Sequence, residues 1–264
     1  MLRNAANLYR YLIASVLLVV GNLNLNAQTD LGGTITYQLT TKYTFPPTGK
    51  PEWDEYAKTL PTERRTDKVL YFNSIASLFK EPGGEKEALS IKEQKAMYMA
   101  DYGKAPRPEM KQIYCDFSNN RKAELQNFMS RDFIVESDIP VKKWKLNNKR
   151  LKILDYTCME AVQIMGTDTI KAWFTPEIPI SAGPAEYYGL PGIILAVERK
   201  GTTIYLASSI SLDTSEEKVL LEPNLGRKVS QKQFDKIVAE KTEEWKTTLS
   251  QKGEKSNYSK QSKN

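Results

Sequence analysis

Histidine is absent from the 264 residues, and only two cysteines are present. Without histidine, the chain cannot form the Ser-His-Asp or Cys-His arrangements of many hydrolases, nor any metal site that needs an imidazole ligand. Two cysteines are too few for a zinc cluster built on thiolates. The sequence also lacks a Walker-type phosphate loop and the glycine spacing of dinucleotide-binding folds. We therefore expect no metal, no cofactor and no conventional catalytic site.

Long apolar runs are scarce as well. The longest, Leu12–Val20, is about half of the ~20 residues that a membrane-spanning helix needs. Arg3 and Arg10 precede or flank this run, and Ala27 supplies a small residue before Gln28. This order is typical of a cleavable secretory signal. We expect a signal peptide over residues 1–27, cleavage near Ala27, and a periplasmic or secreted protein with no transmembrane segment in its mature part.

The net charge is modest and scattered. The formal value is +6, and part of the excess lies in a lysine-rich C-terminus. Clustered basic residues interleaved with aromatic ones, which single-strand binders use, are missing, so we expect no nucleic-acid partner. The composition predicts one strand-rich domain over residues 28–250, followed by a disordered basic tail over residues 251–264.

The two cysteines, Cys115 and Cys158, both lie in the predicted mature chain. In an oxidising compartment such a pair favours a disulfide bridge. Two buried, unpaired thiols are the alternative, because the sequence does not show whether the two side chains meet.

Short strands separated by turn residues dominate the middle of the chain. Ile35, Tyr37 and Leu39 alternate with polar residues, as on a half-buried strand. Glycine-containing turns at 166–168 and 199–201 lie between apolar runs and predict two hairpins. Residues 123–136 are expected to form one longer strand.

Two helical signals accompany these strands. Ser90 and Glu93 have the spacing of a capping box. Ser230 precedes a segment with Phe234, Ile237 and Val238 at helical spacing. The predicted fold class is α+β and mostly β, a curved antiparallel meander sheet with an amphipathic C-terminal helix.

The most distinctive segment lies between residues 151 and 198. It contains the stretches 151–158, 172–179 and 188–194, the last reading YGLPGII. This spelling resembles the GLPGLI family, a group of exported Bacteroidetes proteins named for that hexapeptide. Ile193 replaces the leucine of the family, and Asp155 stands where glycine is common. The resemblance implies an exported protein whose biochemical role is undefined.

The glycines and prolines of this segment predict a shaped loop that leads into a buried strand. Proline has no N–H for a strand ladder, and two glycines around a proline suit a tight bend. A structural role is the favoured interpretation, and recognition of a ligand or partner is the alternative. The candidate binding residues are Trp173, Gly183, Pro184, Tyr187, Tyr188, Gly189, Leu190, Pro191 and Gly192.

Three functional hypotheses follow. The first is a non-enzymatic envelope protein that binds a protein, a peptide or a surface polymer. The second is a carrier of an apolar or lipid ligand in a cleft between sheet and helix. The third is a histidine-free hydrolase that uses two carboxylates. The candidate carboxylates for that hydrolase are Asp168, Glu177, Glu186 and Glu198.

Overall fold

The structure is a computed structural model that describes residues 31–84, 88–212 and 220–261, with side chains up to residue 251. The predicted signal peptide lies outside these residues. The strands are β1 (Gly33–Lys42), β2 (Glu63–Phe72), β3 (Ala76–Lys80), β4 (Glu109–Asp116), β5 (Arg121–Phe128), β6 (Arg131–Asp138), β7 (Lys145–Ile153), β8 (Tyr156–Met165), β9 (Asp168–Thr175), β10 (Ile193–Arg199), β11 (Thr203–Leu212) and β12 (Arg227–Ser230). The helices are α1 (Pro51–Ala57), α2 (Ile91–Ala100) and α3 (Gln231–Gln261).

All these strands belong to one open sheet in the order β12-β6-β5-β4-β3-β2-β1-β11-β10-β9-β8-β7. Most neighbours in this order are also neighbours in sequence, as in a meander. β1 joins the two halves by pairing with both β2 and β11. Every pair is antiparallel except β12 with β6, which is parallel. The predicted fold class is confirmed, with this one parallel pair as an addition.

The sheet curves around one face. The rings of Phe79 on β3 and Tyr205 on β11 lie 6.0 Å apart, although β2 and β1 separate their strands. In a flat sheet three strand spacings would set them about 14 Å apart. Tyr37 on β1 also reaches Phe79, with 6.2 Å between ring centroids. We call the face that bears these rings the concave face.

Two different elements cover the concave face. The loop between β9 and β10, residues 176–192, packs on the half formed by β1 to β3 and β7 to β11. α3 packs on the other half, where Phe234 contacts Phe133 and Val135 of β6. Residues paired across β3, β4, β5 and β6 share a face. The loop and the helix therefore lie side by side on the same face.

Some elements differ from those expected. Residues 123–136 form a hairpin, not one long strand, because Met129 and Ser130 take positive φ values of 50° and 62° and reverse the chain. No glycine or asparagine marks that turn, which is why the pattern hides it. The short strand β12 and the polar edge strand β7 were not predicted.

The C-terminal helix begins as expected at Ser230, whose hydroxyl accepts from the N–H of Gln233 at 3.3 Å. It then continues to Gln261, through most of the segment for which the sequence predicts a disordered tail. No proline interrupts residues 231–261, so no residue there is barred from helix. None of the helices in the described part of the chain is both long and apolar enough to cross a membrane.

The predicted disulfide is wrong for this structure, because Cys115 and Cys158 are both free and buried. Cys115 lies on β4 and Cys158 on β8, and six strands stand between those two in the sheet. Burial raises the pKa of each thiol to about 11, so both are held as neutral, apolar side chains. The alternative of two buried thiols is the one that the structure supports.

Candidate functional site

The β9–β10 loop folds inward instead of projecting from the sheet. Its apolar side chains at Ile178, Ile180 and Leu190 are at most 7% exposed and join the main core. The loop is also tied to β10 by its backbone, since Ile193 N–H donates to Ile178 O and Ile194 N–H donates to Ala182 O, each at 3.0 Å. The loop therefore fills this half of the concave face.

The structure places the predicted binding residues mostly inside the protein. Trp173 is half-buried on β9, and of the predicted binding residues in the loop only Gly189 and Pro191 are exposed. The buried ones are Gly183, Pro184, Tyr187, Tyr188, Leu190 and Gly192. A partner that docks from solvent would meet little of this motif, and whether any of these residues binds a ligand stays a prediction.

Two glycines of the motif are required by close packing. A Cβ on Gly192 would overlap the carbonyl oxygen of Thr175, and the φ of Gly192 is +151°. A Cβ on Gly183 would lie 2.5 Å from the carbonyl oxygen of Tyr187 and 2.8 Å from Ile194 Cβ. Both positions exclude every larger residue unless the backbone moves. This supports the structural interpretation of the motif.

An ion-pair network fixes one end of the loop against the β10–β11 hairpin. Arg199 contacts Asp168 through Nε at 3.0 Å and through a terminal nitrogen at 2.9 Å. Lys200 adds a contact of 2.6 Å to the same carboxylate. The bond from Lys200, together with Arg199, lowers the pKa of Asp168. Glu186 of the loop lies 3.8 Å from Arg199 and so extends the network.

The other half of the concave face is not filled. A cleft of about 500 Å³ lies between α3, the strands β4 and β5, and the loop residue Glu186. Met110 and Ile113 on β4 and Phe234 and Val238 on α3 are its main apolar walls. Its size falls within the range usual for small-ligand sites.

The charged residues that line this cleft are all acidic. Glu124 projects from β5, Glu186 from the loop and Asp235 from α3, and the lining includes no lysine or arginine. Gln126 and Gln231 add amide groups. Because an acidic concave surface with low-dielectric walls attracts cations, the cleft suits a ligand with a positive charge and an apolar part.

Beneath the cleft lies a polar floor. Lys122 and Glu124 form a buried ion pair at 2.6 Å, with each residue at most 8% exposed. The Lys142 ammonium lies 5.1 Å above the ring of Tyr188. Burial lowers the pKa of Lys142, an effect that Glu186 opposes. These groups form a charged layer between the cleft and the filled half of the face.

The hydroxyl of Tyr188 belongs to this floor and has no partner. Its oxygen is fully buried and makes no hydrogen bond with any described residue. Burial raises the pKa of Tyr188, and the nearby carboxylates of Glu124 and Glu186 add to the rise. A buried hydroxyl without a partner costs free energy.

The four carboxylates proposed for hydrolysis do not form one site. Asp168 is held by Arg199 and Lys200, Glu177 accepts from the N–H of Thr157 at 3.0 Å, and Glu198 lies 3.8 Å from Lys171. Only Glu186 lines the cleft. Among the described residues, no three acidic or cysteine side chains converge in the manner of a metal site.

Sequence reasoning missed Glu124 and Asp235. Glu124 occupies an inward position on β5, where a charged residue breaks the apolar pattern that marks a core strand. Asp235 reads as one more polar residue of an amphipathic helix. Their convergence depends on the packing of α3 over β5, which no local pattern reveals.

A family model described as "Protein of unknown function (Porph_ging)" matches residues 162–196, which run from β8 through the loop into β10. The match covers the segment with the most distinctive sequence. No curated protein matches.

Two solved structures are similar in fold. PNGF-II in its P21 crystal form aligns with a TM-score of 0.50 and 17% identity, over 80% of this chain and 34% of that chain. PNGF-II in its C2 form aligns with a TM-score of 0.47 and 16% identity, over 78% of this chain and 33% of that chain. The chain thus spans about a third of the proteins that it matches, and the likeness describes the fold alone.

Proposed function

We propose that this is an exported binding protein of the cell envelope that holds a basic, partly apolar peptide segment in the cleft between α3 and the sheet. One observation carries the proposal: a cleft of about 500 Å³ with apolar walls has three acidic residues in its lining and no basic one. A lysine or arginine side chain offers a cationic end for the acidic rim and a methylene stem for the walls. Export is supported by the signal-like residues before Gln28 and by the resemblance to the GLPGLI family.

The filled half of the concave face argues against the carrier hypothesis. A lipid chain needs a long apolar channel, but the β9–β10 loop occupies the space between β1 and β10 with buried side chains. The remaining cleft would place Glu124, Glu186 and Asp235 against hydrocarbon, which costs free energy for each desolvated charge. A cationic peptide can pair instead with Glu186 and Asp235, whereas Glu124 is already paired with Lys122.

The test is binding of a fluorescent peptide in which two lysines flank a Leu-Phe pair, followed by anisotropy. We expect saturable binding that weakens as salt is raised, because the rim charges are partly exposed to solvent. A double variant, Glu186→Gln with Asp235→Asn, should lose at least tenfold in affinity, equivalent to about 1.4 kcal/mol. Glu240→Gln, on α3 but outside the cleft lining, is the matched control and should bind as the parent does.

Two results would contradict the proposal. One is equal binding of a peptide whose lysines are replaced by glutamates. The other is a double variant that binds as tightly as the control while keeping the same thermal melt.

Hydrolysis is the second candidate, and one specific observation favours it: Glu124 and Glu186 line the same concave site. Two carboxylates in one site can serve as general acid and general base, and for this Glu124 would have to leave its ion pair with Lys122. Mass spectrometry of the peptide after long incubation separates the two functions. An intact peptide supports binding alone, whereas cleavage that disappears in Glu124→Gln would favour a hydrolase.

A further inference from the structure

A second concave surface lies away from the cleft, between α1 and α2. It is a groove of about 500 Å³ lined by Glu52, Trp53, Tyr56, Lys95, Tyr98 and Met99. Neither the acidic cleft nor the β9–β10 loop contributes a residue to it. The proposed peptide site leaves this groove without a role.

Two strongly exposed aromatic side chains, those of Trp53 and Tyr98, line this groove. Among the described residues, the aromatic side chains that are strongly exposed are Trp53 at 48%, Tyr98 at 64% and Tyr102 at 58%, and all three lie in or just after these two helices. The other aromatic side chains that the structure describes are buried or partly covered. Aromatic rings concentrated at one exposed place are typical of a recognition surface.

The groove is built on ordered elements. Ala57 of α1 and Ala96 of α2 are buried together in a small core with Leu60 and Met99. Ser90 starts α2 with a complete capping box, its hydroxyl accepting from the Glu93 N–H at 3.3 Å and the Glu93 carboxylate accepting from the Ser90 N–H at 2.9 Å. The rings therefore project from a scaffold whose geometry exists before any ligand binds.

We propose that this groove binds a neutral polysaccharide. The C–H groups on the face of a pyranose ring carry partial positive charge, and they pack on the negative faces of the Trp53 and Tyr98 rings. The Glu52 carboxylate can accept hydrogen bonds from sugar hydroxyls, and the Lys95 ammonium, held 5.2 Å from the Tyr56 ring centroid, can donate them. The charges of Glu52 and Lys95 in the lining balance each other, so the groove favours neither a cationic nor an anionic chain.

A proline-rich peptide also uses aromatic grooves, but it fits this one less well. Proline has no N–H, so such a segment offers few donors to the Glu52 carboxylate. Glu52 is exposed and would lose water on contact with such a segment without gaining a donor in exchange. A polyhydroxylated chain supplies donors along its whole length.

Affinity electrophoresis tests the proposal. The full protein is run towards the cathode in native gels that contain a soluble neutral glucan, mannan or xylan. We expect retardation in at least one of these gels. Trp53→Ala and Tyr98→Ala should each weaken it at least fivefold, because each removes one stacking platform. Ile91→Ala is the matched control: Ile91 is 72% exposed on α2 but does not line the groove.

The outcomes are decisive for this groove. Loss of retardation in both aromatic variants, with unchanged circular dichroism and unchanged retardation of Ile91→Ala, supports the site. Absence of retardation in all three gels overturns it, as does equal retardation of the aromatic variants. Binding of a labelled polyproline peptide that Trp53→Ala abolishes would assign the groove to peptides instead. The double variant Glu186→Gln with Asp235→Asn should leave polysaccharide binding unchanged, because neither residue lines the groove. The proposal for the cleft and the proposal for the groove can therefore be tested independently.

Discussion

The two halves of the concave face show how differently one sheet can be covered. Over β1 to β3 and β7 to β11, an irregular loop packs closely, and its glycines remove the side chains that would clash. Over β4 to β6 and β12, an amphipathic helix touches the sheet at Phe234 and leaves a cleft beside it. The distinctive motif lies in the filled half, and the open space lies in the other. The most distinctive segment of the sequence thus borders the cleft but supplies only Glu186 to its lining.

The largest expected effect comes from breaking the filled half. Gly192→Val should lower the free energy of unfolding by about 3–5 kcal/mol, since it adds backbone strain and an overlap with the Thr175 carbonyl. Gly226, at the start of the open half, has a φ of +148°, but its Cβ would lie 3.2 Å from Asp132 O. Gly226→Val should therefore cost about 1–3 kcal/mol. Urea unfolding of both variants measures the difference, and equal midpoints would remove the distinction between the halves.

A pair of buried tyrosines sharpens the comparison further. The Tyr37 hydroxyl, in the filled half, donates to Ile194 O at 2.6 Å, whereas the Tyr188 hydroxyl on the polar floor has no partner among the described residues. Tyr37→Phe should cost about 1 kcal/mol because it leaves a buried carbonyl unpaired. Tyr188→Phe should stabilise the ligand-free protein by up to about 1 kcal/mol.

Thermal melts of the two Phe variants in parallel provide the check. If Tyr188→Phe lowers the melting temperature as much as Tyr37→Phe does, the Tyr188 hydroxyl is satisfied in solution. If Tyr188→Phe stabilises the protein and also lowers the affinity for the labelled peptide, the hydroxyl contributes to peptide binding.

The two buried thiols affect stability only at high pH. The pKa of Cys158 in the filled half and that of Cys115 beside the polar floor both rise from 9.0 to about 11 through burial. The folded state therefore holds these protons more tightly than the unfolded state does. The resulting stability is complete below pH 9 and is lost as the pH rises towards 11. Urea unfolding between pH 8 and pH 11 should show this decline.

Variants separate the two thiols from other groups that titrate in this range. The free energy of unfolding should fall less steeply with pH in Cys115→Ala and in Cys158→Ala than in the parent protein. If both variants lose stability with pH as steeply as the parent does, the decline does not come from the thiols. Iodoacetamide should modify Cys115 before Cys158, because the loosely covered half opens more easily.

The sequence is most informative where a local rule acts alone. The hairpin turns at Gly166 and Gly201, the capping box at Ser90 and the helix start at Ser230 each depend on neighbours a few residues away, and each was predicted. The turn at Met129 and Ser130 was missed, because there the strand pairing imposes positive φ on residues that do not favour it.

The site was less predictable than the fold. Phe234 and Val238 were expected on the apolar face of the C-terminal helix, and both line the cleft. Glu124 and Asp235 were not expected to meet, because β5 and α3 are brought together only by tertiary packing. The predicted disulfide was wrong for a similar reason: an expected oxidising compartment favoured a bridge, but the order of the strands separates the two thiols.

The pairing of β1 with β11 has a consequence for how the chain folds. Residue 41 of the first strand pairs with residue 203, so the middle of the sheet closes only after most of the chain is present. Such distant pairing slows folding, since the entropy of a long loop must be lost before the contact is made. β4 to β6 form a local meander that can assemble early. Until β11 is present, β1 can pair with β2 but keeps its other edge open, and an open strand edge exposes a partly folded chain to aggregation.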